Sequence, residues 1–188
     1  IFYDDAGRPA GQVITLRDVT YEKRVARTNQ ALFRIANSLY QYRLLEDRLE
    51  FIIKEVQELL AVRGASVILL DEEKQEFYFP AANYEDARTG SRMREIRFPA
   101  DKGVAGHVYR TGKPQIVPDY PQSPYYFPVV DIKSGFQTLN MLDVPIQTSE
   151  RMIGVLCAVN KKDGEFDQND VEFLSAIASA VAYPVENA

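Results

Sequence analysis

Two apolar runs near the end of the chain, Thr138–Ile146 and Met152–Asn160, do most to restrict what it can fold into. Each is apolar at odd and even positions alike, and a polar turn joins them. A strand of that kind belongs in a sheet covered on both faces. Pro145 has no N–H to give to a ladder, so it predicts a bulge or a sheet edge there. The rest of the chain must supply cover for two faces.

Amphipathic helices supply part of it. From Tyr21 the apolar period is helical: Val25, Leu32 and Leu39 recur every seven residues, as do Thr28, Ile35 and Tyr42. That stripe fits a helix docked on its own domain or a short dimeric coiled coil. The pattern slips at Gln41–Leu45. A second helix follows to about Val62, with the stripe Leu45, Leu49, Ile52, Ile53, Val56, Leu59, Leu60, and Gly64 as its stop. A last helix begins after Phe166. Asp167 is its N-cap, Asp170 takes the third helical position of a capping box, and Phe173, Leu174, Ile177, Ala178 and Val181 form its apolar face.

Between these helices the signals are those of strands and loops. Ala65–Leu70 and Glu76–Phe79 flank the polar turn Asp71–Gln75. Asn83–Ser91 reads as a polar connection, and Arg94–Phe98 as a short strand. Asp101 is placed to cap a short helix over Val104–Tyr109, which Gly112 closes. Residues 114–136 read as a loop rich in proline (Pro114, Pro118, Pro121, Pro124, Pro128), the kind of segment that often forms a functional lid. Residues 1–20 read as a β-hairpin, with turn chemistry at Asp5–Pro9, a β-prone run Gln12–Leu16, and Asp18 or Thr20 as cap of the next helix. The expected fold class is α+β: an antiparallel sheet of about five or six strands, N- and C-terminal helices on one face, and the Pro-rich lid on the other.

Composition excludes several function classes. The net charge is −5, without the basic excess that marks nucleic-acid binding. The local cluster Arg88, Arg92, Arg94, Arg97 reads as a solvated loop and strand face. No apolar run approaches the roughly 20 residues that span a bilayer, so no membrane contact is expected of this segment. One cysteine, Cys157, allows no internal disulfide and fits a reducing, cytoplasmic setting. With one His and one Cys, a zinc site would need carboxylates to complete it. His107 reads as a partly buried helix residue rather than a haem ligand. The pairs Asp4-Asp5 and Glu72-Glu73 read as solvated turn charges. Gly103-Val104-Ala105-Gly106 lacks the Lys-Ser/Thr of a phosphate-binding loop. No Gly-x-Ser-x-Gly occurs, and nothing assembles nucleophile, base and orienting group, so no enzyme is expected. Ile1 rather than Met opens the sequence, which reads as a cut inside a longer protein.

The run Lys102-Gly103-Val104-Ala105-Gly106-His107-Val108-Tyr109-Arg110-Thr111-Gly112-Lys113-Pro114 strongly resembles the central segment of GAF domains. Ile116-Val117-Pro118-Asp119, Leu142-Asp143-Val144-Pro145-Ile146, Gly154-Val155-Leu156 and Val159-Asn160-Lys161 continue the resemblance, which covers roughly residues 30–186. Residues 5–24, through Asp5-Ala6-Gly7, Gly11 and Asp18-Val19-Thr20, look like the closing hairpin of a PAS domain. Together these imply a division into a PAS remnant at 1–20, a signalling helix at 21–44 and a GAF domain at 45–188. They also imply the regulatory part of a bacterial signal-transduction protein, such as a histidine kinase or cyclic-dinucleotide enzyme, with the output domain elsewhere.

The resemblance carries site expectations too. Asn160-Lys161…Phe166…Asp170 is similar to the signature of cyclic-nucleotide-binding GAF domains, although Val171 stands where that signature has Glu. Physically, Lys161 can pair with Asp170 at a helix start while Phe166 plugs the crossing, a structural clasp that needs no nucleotide. A ligand pocket is expected between sheet and lid, with Asp119, Tyr125, Tyr126, Phe127, Asp131, Thr138 and Asn140 as candidates: rings to stack, polar groups to read an edge. A cyclic nucleotide is among the ligands this admits. The absence of a Cys-His pair speaks against a covalent bilin, and a single cysteine cannot form the intramolecular disulfide that a methionine sulfoxide reductase of this family uses. Two roles stay open: a small-molecule sensor, and a ligand-free homodimerisation and transmission module working through the N- and C-terminal helices.

Overall fold

The computed structural model describes residues 2–3, 5–11, 20–42 and 44–187. Near the N-terminus β1 (Phe2–Tyr3) and β2 (Pro9–Gly11) pair antiparallel around the turn at 5–8. The β-prone run Gln12–Leu16 and the proposed cap Asp18 lie outside the described residues, as does Asp4. Helix α1 (Thr20–Gln41) and helix α2 (Leu45–Leu59) follow, separated where the apolar period slips. Gly64 does not end α2. The helix stops at Leu60, and Ala61 turns the chain with φ 50, a left-handed conformation that costs a non-glycine residue roughly 1–2 kcal/mol. Lys162 N–H donates to the Ala61 carbonyl (2.9 Å), which helps hold that turn. Gly64 lies inside β3 (Val62–Asp71) for another reason: a Cβ there would stand 2.4 Å from the Tyr84 ring.

The chain then adds β4 (Glu76–Tyr84), α3 (Ala87–Glu95), β5 (Arg97–Pro99), α4 (Gly103–Thr111), β6 (Gln115–Val117), α5 (Val129–Ser134), β7 (Met141–Gln147), β8 (Met152–Lys161) and α6 (Gln168–Glu186). The larger sheet is antiparallel throughout, in the order β5-β4-β3-β8-β7-β6. Side chains of β7 and β8 alternate between two cores. Leu142, Val144, Ile146, Leu156 and Ala158 meet α1, α2 and α6. Met141, Val155, Cys157 and Val159 meet the lid side, where α3, α4, α5 and the Pro-rich segment lie. Both faces are covered, as the apolar strands require. The mixed α+β architecture with helices on one face and the lid on the other is the expected one. At Pro145 the strand pairs only with Val155 of β8, because β6 reaches only Met141–Asp143. The missing N–H therefore faces no ladder, and a register shift follows at Ile146/Gln147.

Five local expectations are corrected. The polar stretch Asn83–Ser91 contains the end of β4 and the start of α3. Asp86 caps α3 by accepting from Arg88 N–H (3.2 Å), and only Thr89, Gly90 and Met93 bury, too few to write an apolar period. The arginine cluster is indeed solvated, but on α3 and β5 instead of a loop. Asp101 is not the cap of α4: Lys102 holds that position without a side-chain bond, and Gly112 closes the helix at φ 64. Strand β7 starts at Met141 rather than Thr138, because the backbone N–H groups of Leu139 and Asn140 donate to the Asn160 side chain. Residues 114–136 are also more ordered than a loop, since they hold β6 and α5.

Candidate functional site

The lid is tied down by its own side chains. Tyr120 is buried, and its hydroxyl donates to the Phe127 carbonyl (3.1 Å) while accepting from Phe127 N–H (3.2 Å). Burial pushes that hydroxyl up to about 12. Tyr120 N–H donates to the Leu139 carbonyl (2.8 Å), which joins the two ends of the segment. Asp131, in the first turn of α5, accepts from both the backbone N–H and the hydroxyl of Thr138 at 2.8 Å each. Burial raises the Asp131 carboxyl, against the pull of those two bonds.

Beneath the lid is a small cavity of about 60 Å³. Its floor is the sheet, and its walls include Phe79, Phe98, Met93 and the N-terminal turn of α4. Across the floor runs a row of polar side chains. Ser66 on β3 pairs in register with Cys157 on β8, and Cys157 with Asp143 on β7. All three are buried, Asp143 completely. Ser66 Oγ and both Asp143 oxygens have no hydrogen-bond partner of ordinary geometry among the described residues. The thiol of Cys157, a weak donor, lies beside Asp143. Desolvation pushes the Asp143 carboxyl up to about 7, and the Cys157 thiol well above its usual range. Tyr84 is shifted upward by the same burial.

Of the seven ligand candidates, the structure brings Phe127, Asp131 and Thr138 to this cavity. Tyr125 and Tyr126 line an outer groove with Phe127, His107, Lys102 and Arg110; there Tyr125 stacks on His107 at 4.2 Å. Asp119 is not at the cavity. It is exposed and accepts from Gln122 N–H (3.3 Å) in a turn. Asn140 is not there either, and its side chain accepts from Lys161 N–H (3.0 Å). Sequence reasoning missed Ser66, Asp143 and Cys157 as a set. The available signal was a lone carboxylate inside an otherwise apolar strand.

The four clasp residues are in contact with their surroundings in two directions. Asn160 has φ 56, and its carbonyl oxygen accepts from Leu139 N–H (2.7 Å) and Asn140 N–H (3.3 Å). Its amide donates to the Gln137 carbonyl (2.7 Å). Lys161 pairs with the buried Asp170 and lies over the Phe166 ring at 5.6 Å. Asp170 accepts from Asp167 N–H and Asp167 from Asp170 N–H, both at 2.9 Å, which closes the capping box of α6.

A wider groove of about 530 Å³ opens between α1, α2 and the start of α6, lined by exposed Lys23, Arg27, Asn169 and Glu172. Its rim is solvated, and Leu59, Leu60 and Phe173 form an apolar wall. Among the described residues no helix is long and apolar enough to cross a membrane, and no group of three His, Cys, Asp or Glu side chains is placed to hold a metal.

A family model for the GAF domain matches residues 43–183. The chain belongs to the GAF domain family. Members of this family are regulatory modules that bind small molecules. This GAF domain is 31% identical over 128 residues to a probable 3',5'-cyclic phosphodiesterase, pde-5, of Caenorhabditis elegans, a match covering 65% of this chain and 18% of the relative. It is 37% identical over 82 residues to the alpha subunit of the human rod cGMP-specific 3',5'-cyclic phosphodiesterase, covering 43% of this chain and 10% of that one. The chain thus spans less than a fifth of the curated relatives it matches. Among solved structures, the GAF domain of a phosphoenolpyruvate-protein phosphotransferase from Coxiella burnetii superposes with a TM-score of 0.76 at 19% identity, over 86% of this chain and 94% of that one. A free methionine-R-sulfoxide reductase from Neisseria meningitidis does so at 0.70 and 19%, over 94% and 95%. At such identities these two likenesses speak of the fold alone.

Proposed function

We propose that this GAF domain is the sensory module of a bacterial signal-transduction protein, non-catalytic itself, and that its ligand occupies the cavity under the Pro-rich lid. In this reading residues 1–20 are the tail of a PAS domain, 21–44 a signalling helix and 45–188 the sensor, acting on an output domain elsewhere in a cytoplasmic protein. The observation that carries the reading is the half-open cavity with unpartnered buried polar atoms in its floor. Buried polar groups are ordinarily satisfied, and those that are not mark a site whose partner comes from outside. A non-catalytic role is supported by Cys157, whose thiol is buried and held in the neutral form, where it is a poor nucleophile.

The phosphodiesterase relatives make cyclic nucleotides the first ligands to test. Ligand pockets usually enclose about 300–1,000 Å³, so a cyclic nucleotide would enter only with the lid raised. Thermal unfolding with and without cyclic GMP and cyclic AMP tests this. A nucleotide at about 100 times its Kd adds roughly 2.7 kcal/mol, a shift of several degrees. A flat response to both nucleotides removes them as ligands and leaves Lys161–Asp170 as a structural clasp.

A second reading, homodimerisation through the terminal helices, draws support from α1 and α6. Ile35 of the heptad stripe buries against the domain, as does Ala31 outside it, but Val25 remains exposed, as do Phe33 (68%) and Tyr183 (56%). Phe33→Glu should weaken a dimer held by this face. Sedimentation equilibrium that shows a monomer for the unsubstituted chain would remove the reading.

A further inference from the structure

We propose that the cavity floor selects a ligand carrying a compact cationic N–H donor group, an amidinium or protonated amine, which ion-pairs with Asp143. This rests on the sensor reading and adds the chemical class of ligand. The polar groups in the cavity are unbalanced. Asp143 offers two acceptor oxygens with no partner of ordinary geometry, and Ser66 Oγ, a hydroxyl that can accept or donate, lies in the same floor. The residues that line the cavity include no lysine, arginine or histidine. Of the donors nearby, Thr138 N–H and hydroxyl are engaged on Asp131 and the Tyr120 hydroxyl on the Phe127 carbonyl, which leaves Asp143 only the weak Cys157 thiol beside it. An anionic group set on this floor would meet a buried carboxylate and no cationic side chain, so the phosphate of a nucleotide would have to lie away from it, towards the N-terminal turn of α4. A ligand cation would meet the one fully buried carboxylate that lacks a partner, with Phe79, Phe98 and Phe127 around it, and aromatic faces also attract cations. An ionised buried carboxylate is costly alone and is stabilised by a hydrogen-bonded positive partner.

The titratable groups that face the cavity from the surrounding elements are Cys157 on β8, Tyr84 on β4, Tyr120 and Asp131 on the lid. None of them can carry positive charge. Binding of a cation therefore drives a proton off Asp143, and affinity falls as pH falls below about 7.

The test uses acetamidinium, acetamide and acetate, three probes of one shape and different charge, small enough for about 60 Å³. Amide chemical shifts of Cys157, Asp143 and Met141 are followed during titration of the whole chain at pH 8 and again at pH 6. Acetamidinium should bind at least about tenfold more tightly than acetamide, as a charge-assisted bond in place of a neutral one implies. It should weaken at pH 6, and acetate should not bind. Asp143→Asn, which keeps the shape, should remove the preference for acetamidinium. Acetamide or acetate binding better than acetamidinium overturns the charge assignment while the sensor reading stands. Shifts that stay flat with all three probes overturn the proposal, and the sensor reading is then judged separately by the nucleotide experiment. Unfolding of the Asp143→Asn chain would leave the three-probe comparison on the unsubstituted chain to decide.

Discussion

On the helix side of the sheet the core is mostly aliphatic: Ile52, Ile53, Val56, Leu142, Ile146, Leu156, Leu174 and Ile177 are all but inaccessible. Its buried polar side chains Ser38 and Glu55 both have partners, the Ile35 carbonyl and Arg34. On the lid side the core is aromatic, with Phe98 against both Phe77 (5.4 Å) and Phe79 (5.8 Å), and it borders a cavity with an unpartnered carboxylate. One face is close-packed, with Arg48 Nε and Ser175 Oγ on its helices the atoms left without a hydrogen bond among the described residues. The other carries a void and an electrostatic cost. The same two strands, β7 and β8, serve both, so the difference lies in which alternate residues each face received. Stability comes from the first face, and the second keeps a deficit.

The sharpest way to break this contrast is pH. Asp143 ionises near 7 in the folded chain against 3.8 ordinarily, so the fold holds this proton more tightly than the unfolded chain does. Stability from this group is greatest below about pH 4, falls as pH rises towards 7, and is level above it. The full change is on the order of 4 kcal/mol. Urea midpoints should drop across that window, and Asp143→Asn should flatten the drop. A profile unaltered by Asp143→Asn would mean the lid face carries no such cost. Next in size, Leu174→Ala on the filled face should cost about 3 kcal/mol by denaturant unfolding, since a cavity opens where nothing can collapse. Asp170→Ala should cost about 2 kcal/mol, by removing half the capping box and the partner of the nearly buried Lys161. Smallest, Phe127→Ala on the half-buried lid should cost about 1 kcal/mol, because that ring already borders a void. A Phe127 effect larger than that of Leu174 would invert the comparison.

The filled face was the legible one. Its helices α1, α2 and α6 write a 3.6-residue period over many turns, and the Asp167–Asp170 box marks the start of α6 in four residues. The lid face was read less well. Helix α3 buries only three residues, and its arginines look like loop. Candidates chosen from the Pro-rich run split between the cavity and the surface, because a loop has no period to say which way Asp119 or Tyr126 points. Asp143 went unassigned for a related reason. In a strand apolar on both faces, alternation cannot tell which core a single polar side chain enters; that needed the register with Cys157.

At the end of β8, Asn160 grips residues 137–140 of the lid while Lys161, its immediate neighbour, grips the first turn of α6. Two consecutive Cα atoms stand only about 3.8 Å apart. The wall of the cavity and the root of the last helix are thus spliced at one peptide link. A strain introduced at residues 137–140 has one bond pair to cross before it reaches α6, instead of the thickness of the sheet. In mechanical terms that link is the shortest lever arm between the cavity on one face of the sheet and the helix on the other.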